Sequence, residues 1–203
     1  MSVSVITVGT QSVNLVSLPT TPAPASVQFD MADAVATVRS TFTGQMQAQG
    51  WPGADALSGT VTMPPLTQAQ ADDWIAFLME LRGMANAFQI GDPMKSTPRG
   101  TGGAGSVTAA AAAGSQSIAV SFGAGAILPG DYMQIGYRFY RALEGSGSGA
   151  IGIWPSVREA LAGTEAITTA NTVGLFRLAT NKRTWSADFT RVTRLSFQIQ
   201  EYR

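Results

Sequence analysis

The stretch RLSFQIQEY, residues 194–202, decides the fold class of this 203-residue chain. Leu195, Phe197 and Ile199 alternate with polar residues, so one face of the segment is apolar and the other is polar. A period of two residues is typical of a half-buried β-strand. The chain is therefore expected to close with a strand of an antiparallel sheet that has one solvated face.

Two segments in the first third of the chain alternate in the same way. In VRSTFTGQM, residues 38–46, we expect Val38, Phe42 and Met46 to share the apolar face of one half-buried strand. In LSGTVTM, residues 57–63, the alternation predicts a further strand. Both are expected to be antiparallel strands with one solvated face.

The sequence after these strands predicts one helix, over residues 67–82. Thr67 and Gln70 have the spacing of a capping box, and Gly83 is placed to end the helix in a left-handed conformation. Apolar residues recur at helical spacing, at Ala71, Trp74, Ile75, Leu78 and Leu81. The stripe is expected to pack against the sheet, with Trp74 as a core residue.

The glycine-rich stretch GTGGAG, residues 100–105, has the spelling of a dinucleotide-binding motif but not its context. That motif needs a strand leading directly into the first glycine and an acidic residue about 20 positions later. Here the preceding candidate strand ends at Ile90, and the next acidic residue after the glycines is Asp131. We interpret the stretch as a flexible or close-packed connection between two units.

The segment after the glycines is expected to be a small β-barrel or meander. Residues 118–122 alternate, a Pro-Gly turn stands at 129–130, and a Gly/Ser turn occupies 145–149. If the strands at 184–201 return to the first sheet, this barrel is an insertion.

The sequence therefore predicts a mainly β protein, a β-sandwich or split sheet with one packed α-helix and an inserted small β-barrel domain. The expected domains are an extended N-terminal arm at 1–24, a split β-rich outer domain at 25–105 and 181–203, and an inserted barrel-like domain at 106–180. The Pro-rich segment LPTTPAPA closes the arm.

Composition excludes several kinds of chemistry. The chain has no cysteine and no histidine, which rules out disulfides, thiolate metal sites and Ser-His-Asp catalysis. We expect no catalytic residue, no cofactor and no metal. Neither a signal peptide nor a membrane span is expected, because no long apolar segment occurs.

The charge composition favours a subunit of an assembly. The formal net charge is zero, from 13 basic and 13 acidic residues, and Lys95 and Lys182 are the only lysines. Interfaces are enriched in arginine and depleted in lysine. A genome rich in G and C would also produce this bias. The basic residues near the end of the chain are interpreted as interface and sheet-surface charges, without specific nucleic-acid binding.

The order of motifs along the chain resembles that of minor tail proteins of tailed bacteriophages, over nearly all of the sequence beyond the first 25 residues. The motifs are TFTGQMQ (41–47), PPLTQAQADDWIAFLMELRG (64–83), FQIGDP (88–93), PRG (98–100), LPGDYMQIG (128–136), FYRAL (139–143), IWPSVREAL (153–161), FRLAT (176–180) and SFQIQEY (196–202). The nearest family is the distal tail or baseplate-hub type.

This resemblance implies a non-enzymatic structural component of the virion tail, assembled in the host cytoplasm. The implied form is a homo-oligomeric ring, often sixfold, that connects the tail tube to hub, tip or fibre proteins. One alternative is a receptor- or carbohydrate-binding module, which exposed aromatics at Tyr137, Tyr140 and Trp154 would favour. A more remote alternative is a cell-wall-degrading enzyme, which would need two convergent carboxylates. The candidate carboxylates are Asp131, Glu144, Glu159 and Glu165.

Five residues are expected to make intersubunit or structural contacts: Trp74, Trp154, Arg158, Arg191 and Arg194. Pro155 can start a helical turn that displays Arg158, whose guanidinium can fork onto a carboxylate or a row of carbonyls. We expect Arg158 to form an intramolecular or intersubunit clamp. The alternatives are a solvated arginine and a ligand contact.

Overall fold

The computed structural model describes residues 2–187 and 192–203. Strands make up 45% of the protein and helix 8%, so the mainly β fold class is confirmed. Within the described residues the strands form a main sheet, a closed barrel and two hairpins.

The elements follow one another along the chain in this order. They are β1 (Val3–Val8), β2 (Gln11–Val16), β3 (Ser26–Ala32), β4 (Val35–Arg39), β5 (Met46–Gly50), β6 (Ala56–Thr62), α1 (Gln68–Glu80), β7 (Phe88–Ile90), β8 (Gly105–Val107), β9 (Ser117–Ser121), β10 (Tyr132–Ile135), β11 (Arg138–Ala142), β12 (Ser148–Trp154), β13 (Ala166–Thr168), β14 (Gly174–Leu178), β15 (Trp185–Ala187) and β16 (Thr193–Glu201).

The main sheet has the strand order β3-β6-β16-β14-β7, and β15 pairs with β16 beside this path. All of its pairings are antiparallel. Leu195, Phe197 and Ile199 of β16 are buried, whereas Arg194, Ser196 and Gln198 are exposed. The prediction of a half-buried closing strand is therefore confirmed, and β16 lies in the middle of the sheet.

Helix α1 packs its apolar stripe against the main sheet. Thr67 is the N-cap, and its backbone N–H donates to Oε1 of Gln70 at 3.1 Å, as the capping-box spacing predicts. The side chain of Trp74 is fully buried and lies within 6.3 Å of Phe197, measured between ring centroids. Gly83 has a φ of +71°, the left-handed conformation predicted beyond the helix end.

The barrel closes in the order β10-β11-β12-β9-β8-β13. Its interior is a second hydrophobic core, separate from that of the main sheet, and includes Ile118, Met133, Ile151 and Ile167. Strands β3, β6 and β7 precede the barrel and β14, β15 and β16 follow it, so the barrel interrupts the sequence of the main sheet.

The predicted barrel range of 106–180 extends too far. Strand β14, at Gly174–Leu178, pairs with β16 and β7 in the main sheet. The barrel is already closed by β13, which pairs with β8 on one side and β10 on the other. No barrel edge remains for β14, so the segment FRLAT belongs to the sheet.

The N-terminal segment is a hairpin and not the predicted extended arm. Strands β1 and β2 pair across a turn at Gly9, where φ is +60°. Ile6, Val8 and Val13 pack with Ala87, Leu175 and Tyr202 in a third hydrophobic cluster. The N-terminal segment therefore consists of two short strands that pack against the rest of the same chain.

The prediction of one half-buried strand over 38–46 is wrong. A turn at residues 40–45 separates β4 from β5, and the backbone N–H of Ser40 donates to the carbonyl of Gln45 at 2.9 Å. Met46 is paired with Arg39, one residue beyond Val38. Because directly paired residues share a face of the ladder, Val38 and Met46 lie on opposite faces.

Candidate functional site

The β4–β5 hairpin stands out because every residue in its two strands is exposed. The exposed fraction is 70% for Val38, 96% for Phe42 and 69% for Met46. Trp51, just beyond β5, is also more than half exposed. An isolated two-stranded hairpin is marginally stable in water, and the apolar side chains that it exposes are accessible to a partner.

The hairpin also has little of the charge, and none of the lysine or proline, that commonly protects exposed strands from pairing. Arg39 is the only charged residue between positions 34 and 54. Its Nε donates to the carbonyl of Gly44 at 3.3 Å, back across the turn. Natural edge strands are commonly blocked by lysine or proline, and β4 and β5 contain neither. Among the described strands each of the two pairs only with the other, so each presents an open edge.

The hairpin is an outward continuation of β3 and β6, with a bulge at its base. The inner ladder ends at the pair Ala32 and Ala56, and the outer ladder begins at the pair Val35 and Gly50. Residues 33–34 on one side therefore face residues 51–55 on the other. Such an interruption bends the ladder and leaves backbone groups without ladder partners.

The barrel segment WPSVR, residues 154–158, contacts this bulge from both sides. Nε1 of Trp154 donates to Oδ1 of Asp33 at 2.7 Å. The backbone N–H of Gly53 donates to Oγ of Ser156 at 2.7 Å. Ser156 in turn donates to Oδ2 of Asp55 from its backbone N–H at 2.8 Å and from its hydroxyl at 2.7 Å. The hairpin base is thus hydrogen-bonded to the barrel through both of its strands.

Arg158 ties the same bulge to the main sheet. Its side chain is 5% exposed, and it forks onto Glu201 with Nε to Oε1 at 2.8 Å and Nη2 to Oε2 at 2.6 Å. The guanidinium also donates to the carbonyl of Asp55 at 2.7 Å and to that of Gly53 at 3.3 Å. These contacts are intramolecular and combine the carboxylate and carbonyl partners that the sequence suggested for this residue.

Hydrogen bonds and opposite charges favour the ionised forms of Asp55 and Arg158. Burial alone raises the pKa of Asp55, but hydrogen bonds from Ser156 and the charge of Arg158 hold that pKa below its ordinary value. Burial alone lowers the pKa of Arg158. The hydrogen bonds and charge of Glu201 raise that pKa by more than burial lowers it, so the net shift is upward. The result is a buried ion cluster whose hydrogen-bonding groups are paired.

Trp74 and Arg194, also singled out from the sequence, lie apart from this cluster. Trp74 is in the core under α1, and Arg194 is on the solvated face of β16. Arg191 lies outside the described residues. Sequence reasoning missed Asp33, Gly53, Asp55, Ser156 and Glu201; the turn-rich spelling WPGAD at 51–55 was the available signal for the bulge.

The aromatic residues that would favour a binding platform do not form an exposed group. Tyr140 is buried, with its hydroxyl accepting from the backbone N–H of Arg158 at 3.3 Å. Burial is the main reason why the pKa of Tyr140 is raised. Tyr137 and Trp154 are half-buried. The three therefore lack the common exposed face that would favour the receptor- or carbohydrate-binding alternative.

Asp131 binds backbone groups at the start of the glycine-rich stretch. Its carboxylate accepts from the backbone N–H groups of Arg99 and Gly100, each at 2.9 Å, and of Leu128 at 3.0 Å. Burial raises the pKa of Asp131, but these hydrogen bonds outweigh it and the net shift is downward. A β-carbon on Gly100 would lie 2.2 Å from the carbonyl oxygen of Ala126. Of the two interpretations of the stretch, these contacts support the close-packed one.

Of the remaining carboxylates, Glu159 and Glu165 have hydrogen-bond partners within the chain. Glu165 and Glu159 both line a cleft of about 200 Å³ beside the barrel. The Glu165 carboxylate accepts from the backbone N–H groups of Ala162, Gly163 and Thr164, led by Ala162 at 2.6 Å, and these bonds lower its pKa. A general acid of a glycosidase needs a raised pKa. Glu159 accepts from Nε of Arg138 at 3.0 Å, and Glu144 is exposed.

Comparisons with known protein families and with curated proteins find no match to this chain. Over residues 2–187 and 192–203, acidic side chains do not gather in any group suited to holding a metal ion. In that same part of the chain no helix has the length and apolar character needed to span a membrane.

Proposed function

We propose that the chain is a self-assembling structural subunit of a bacteriophage virion tail, of the distal tail or baseplate-hub type. The observation that carries the self-assembly is the β4–β5 hairpin, which exposes apolar side chains on both faces and open strand edges on both sides. An element of this kind gains stability when it is covered by a partner.

The partner that best fits the hairpin is a second copy of the chain. The hairpin carries one charge and the whole chain has a formal net charge of zero, so copies meet without net repulsion. A hairpin that docks on a different surface of its neighbour makes a head-to-tail contact. Such contacts close into a ring when the rotation between subunits allows it.

Burial of the apolar side chains of the hairpin would contribute several kcal/mol to association. Covering Val38, Phe42 or Met46 fully would contribute about 1.5–3 kcal/mol for each side chain, before the entropic cost of association is subtracted. Strand pairing along the open edges adds hydrogen bonds that fix the orientation of the neighbour.

The tail, its tube and its fibre proteins enter the proposal through the resemblance of the motif order to minor tail proteins. Ring formation, connection of the tube to hub, tip or fibre proteins, and location in the virion are all part of what that resemblance implies. The hairpin supports this proposal because a ring component needs a surface that only another subunit can cover.

The proposal is tested by placing a benzophenone photo-crosslinking amino acid at position 42 of the purified protein. The expected result is a covalent dimer, with the crosslinked site on the second copy identified by mass spectrometry. The matched control carries the same group at Met94, which is 87% exposed and lies outside the hairpin. Absence of dimer from position 42, or equal dimer from both positions, would contradict the proposal.

A further inference from the structure

We propose that the barrel segment at residues 154–158, here called the brace, fixes the direction in which the β4–β5 hairpin leaves the main sheet. The consequence for assembly rests on the proposed function above, whereas the direction of the hairpin is a property of the single chain. Three observations carry the inference: the bulge, the two-sided hydrogen bonding and the connection to β16.

The bulge weakens the control of the main sheet over the direction of the hairpin. In a continuous ladder, the outer pairs would inherit their direction from the inner ones. Here the ladder stops at Ala32 and Ala56 and resumes at Val35 and Gly50, with two residues facing five. Contacts at the bulge can therefore contribute to the direction that the hairpin takes.

The brace supplies that contact on both strands of the base. Trp154 binds Asp33 on the strand that leads outward, and Ser156 binds Gly53 and Asp55 on the strand that returns. One hydrogen bond would leave the hairpin free to swing about it. Contacts to both strands from one short segment restrict that movement.

The brace is itself held by the main sheet. Arg158 binds Gly53 and Asp55 at the bulge and forks onto Glu201, the last residue of β16. The side chain of Glu201 is 9% exposed, so this pair lies largely out of water. A bidentate pair has a defined geometry, which ties barrel, bulge and central strand into one unit.

A fixed direction matters for a subunit that assembles head to tail. Each copy must present its hairpin at the same angle for contacts to close after a fixed number of subunits. A hairpin that swings would produce open or mixed assemblies. The barrel thereby determines the angle at which the hairpin meets a neighbouring subunit, even if the barrel itself does not contact that subunit.

The test measures the direction of the hairpin in the monomer by pulsed electron spin resonance. Since the chain has no cysteine, two introduced cysteines would be its only labelling sites. We choose Thr41→Cys at the hairpin tip and Ser117→Cys in the barrel. Both positions are exposed. The expected result is one narrow distribution of label distances, which broadens or shifts when Asp33→Ala and Ser156→Ala are combined.

Two further variants keep the test independent of folding. Asp33→Ala alone removes the acceptor for Trp154 at an exposed position, so the chain should fold, and it should broaden the distribution in part. Asp33→Asn retains an acceptor oxygen and should preserve the native distribution. Asp30→Ala, on the neighbouring strand and outside the brace contacts, is the matched control.

The outcomes separate this inference from the proposed function. A native distribution in the double variant, and again after Arg158→Lys is added to it, would overturn the brace, whatever the protein does in solution. An altered distribution together with unchanged assembly would support the brace and contradict the role of the hairpin in assembly.

Discussion

Among individual residues, Arg158 has the greatest influence on how the parts of this protein fit together. Its guanidinium lies where the barrel, the hairpin base and β16 meet, and it satisfies one carboxylate and two carbonyls. Sequence reasoning identified the residue and the kind of partner. It could not identify Glu201 or Asp55, which lie 43 and 103 positions away, because local periodicity contains no information about such distant pairs.

We expect Arg158→Ala to lower the free energy of unfolding by about 3–5 kcal/mol, because it leaves buried Glu201 without its counter-charge. Arg158→Lys should cost less, since it keeps the charge but loses the fork. Urea unfolding measures both. Arg194→Ala, on the solvated face of β16, is the control and should change stability by less than about 0.5 kcal/mol. Equal losses in Arg158→Ala and Arg194→Ala would refute the clamp.

Asp131 should make the free energy of unfolding depend on pH in the acidic range. Its pKa is lowered in the folded protein from the ordinary value of 3.8. A depressed carboxyl pKa stabilises the fold above the unfolded value, and this stabilisation is lost as pH falls below 3.8 through the folded pKa. Asp131→Asn should therefore be less stable than the parent at neutral pH, and the difference should shrink in acid.

The measurement for Asp131 is urea unfolding of both proteins over a series of pH values. Asp72→Asn on the exposed part of α1 serves as the control for loss of a charge. A difference between parent and Asp131→Asn that stays constant from neutral pH to well below 3.8 would show that the carboxylate contributes nothing through its ionised form.

At the scale of secondary-structure elements, alternation predicted β6 and β16 correctly and the capping box predicted the start of α1. The same alternation was misleading for β4–β5, where Thr41-Phe42-Thr43 forms a turn within an apparently continuous pattern. Periodicity shows which side chains share a face, but it does not show whether anything covers that face. Strand β14 was misassigned for a related reason, since GLFRL fits either the barrel or the sheet until the barrel is seen to close at β13.

The hairpin should be dispensable for folding and required for assembly. We expect Val38→Ser combined with Phe42→Ser to change the free energy of unfolding of the dissociated chain by less than about 0.5 kcal/mol, because both side chains are exposed. The same variant should shift sedimentation toward the monomer. Met94 is also a highly exposed apolar residue but lies outside the hairpin, so Met94→Ser should leave sedimentation unchanged. A large loss of stability, or sedimentation like that of the parent, would count against the assignment.

In the glycine-rich connection, alanine should be tolerated at position 103 and should destabilise the fold at position 100. Gly100→Ala places a β-carbon 2.2 Å from the carbonyl oxygen of Ala126, whereas a β-carbon at Gly103 meets nothing within 4 Å. We expect Gly100→Ala to lower the thermal midpoint, with a loss of about 1–3 kcal/mol from overpacking. Gly103→Ala should be neutral to within about 0.5 kcal/mol. Similar midpoints for the two would mean that the connection is loose.

At the scale of the whole molecule, the barrel interrupts the main sheet and also supports the one element that the described fold leaves uncovered. The sequence indicated a mainly β chain with an inserted barrel, because strand patterns on both sides of it suggested a single sheet. It could not indicate that the barrel would reach the hairpin base, since that contact depends on how the two units pack. The contact between the barrel and the hairpin base thus supports the exposed surface of the β4–β5 hairpin.

The most direct test of the central claim is the molar mass of the purified chain by light scattering over a range of concentrations, with negative-stain images of the largest species. Self-assembly through the hairpin predicts particles of one fixed copy number, seen as closed rings, that dissociate in the Val38→Ser and Phe42→Ser double variant. A chain that stays monomeric at every concentration, or a double variant with the same mass as the parent's assembly, would contradict it.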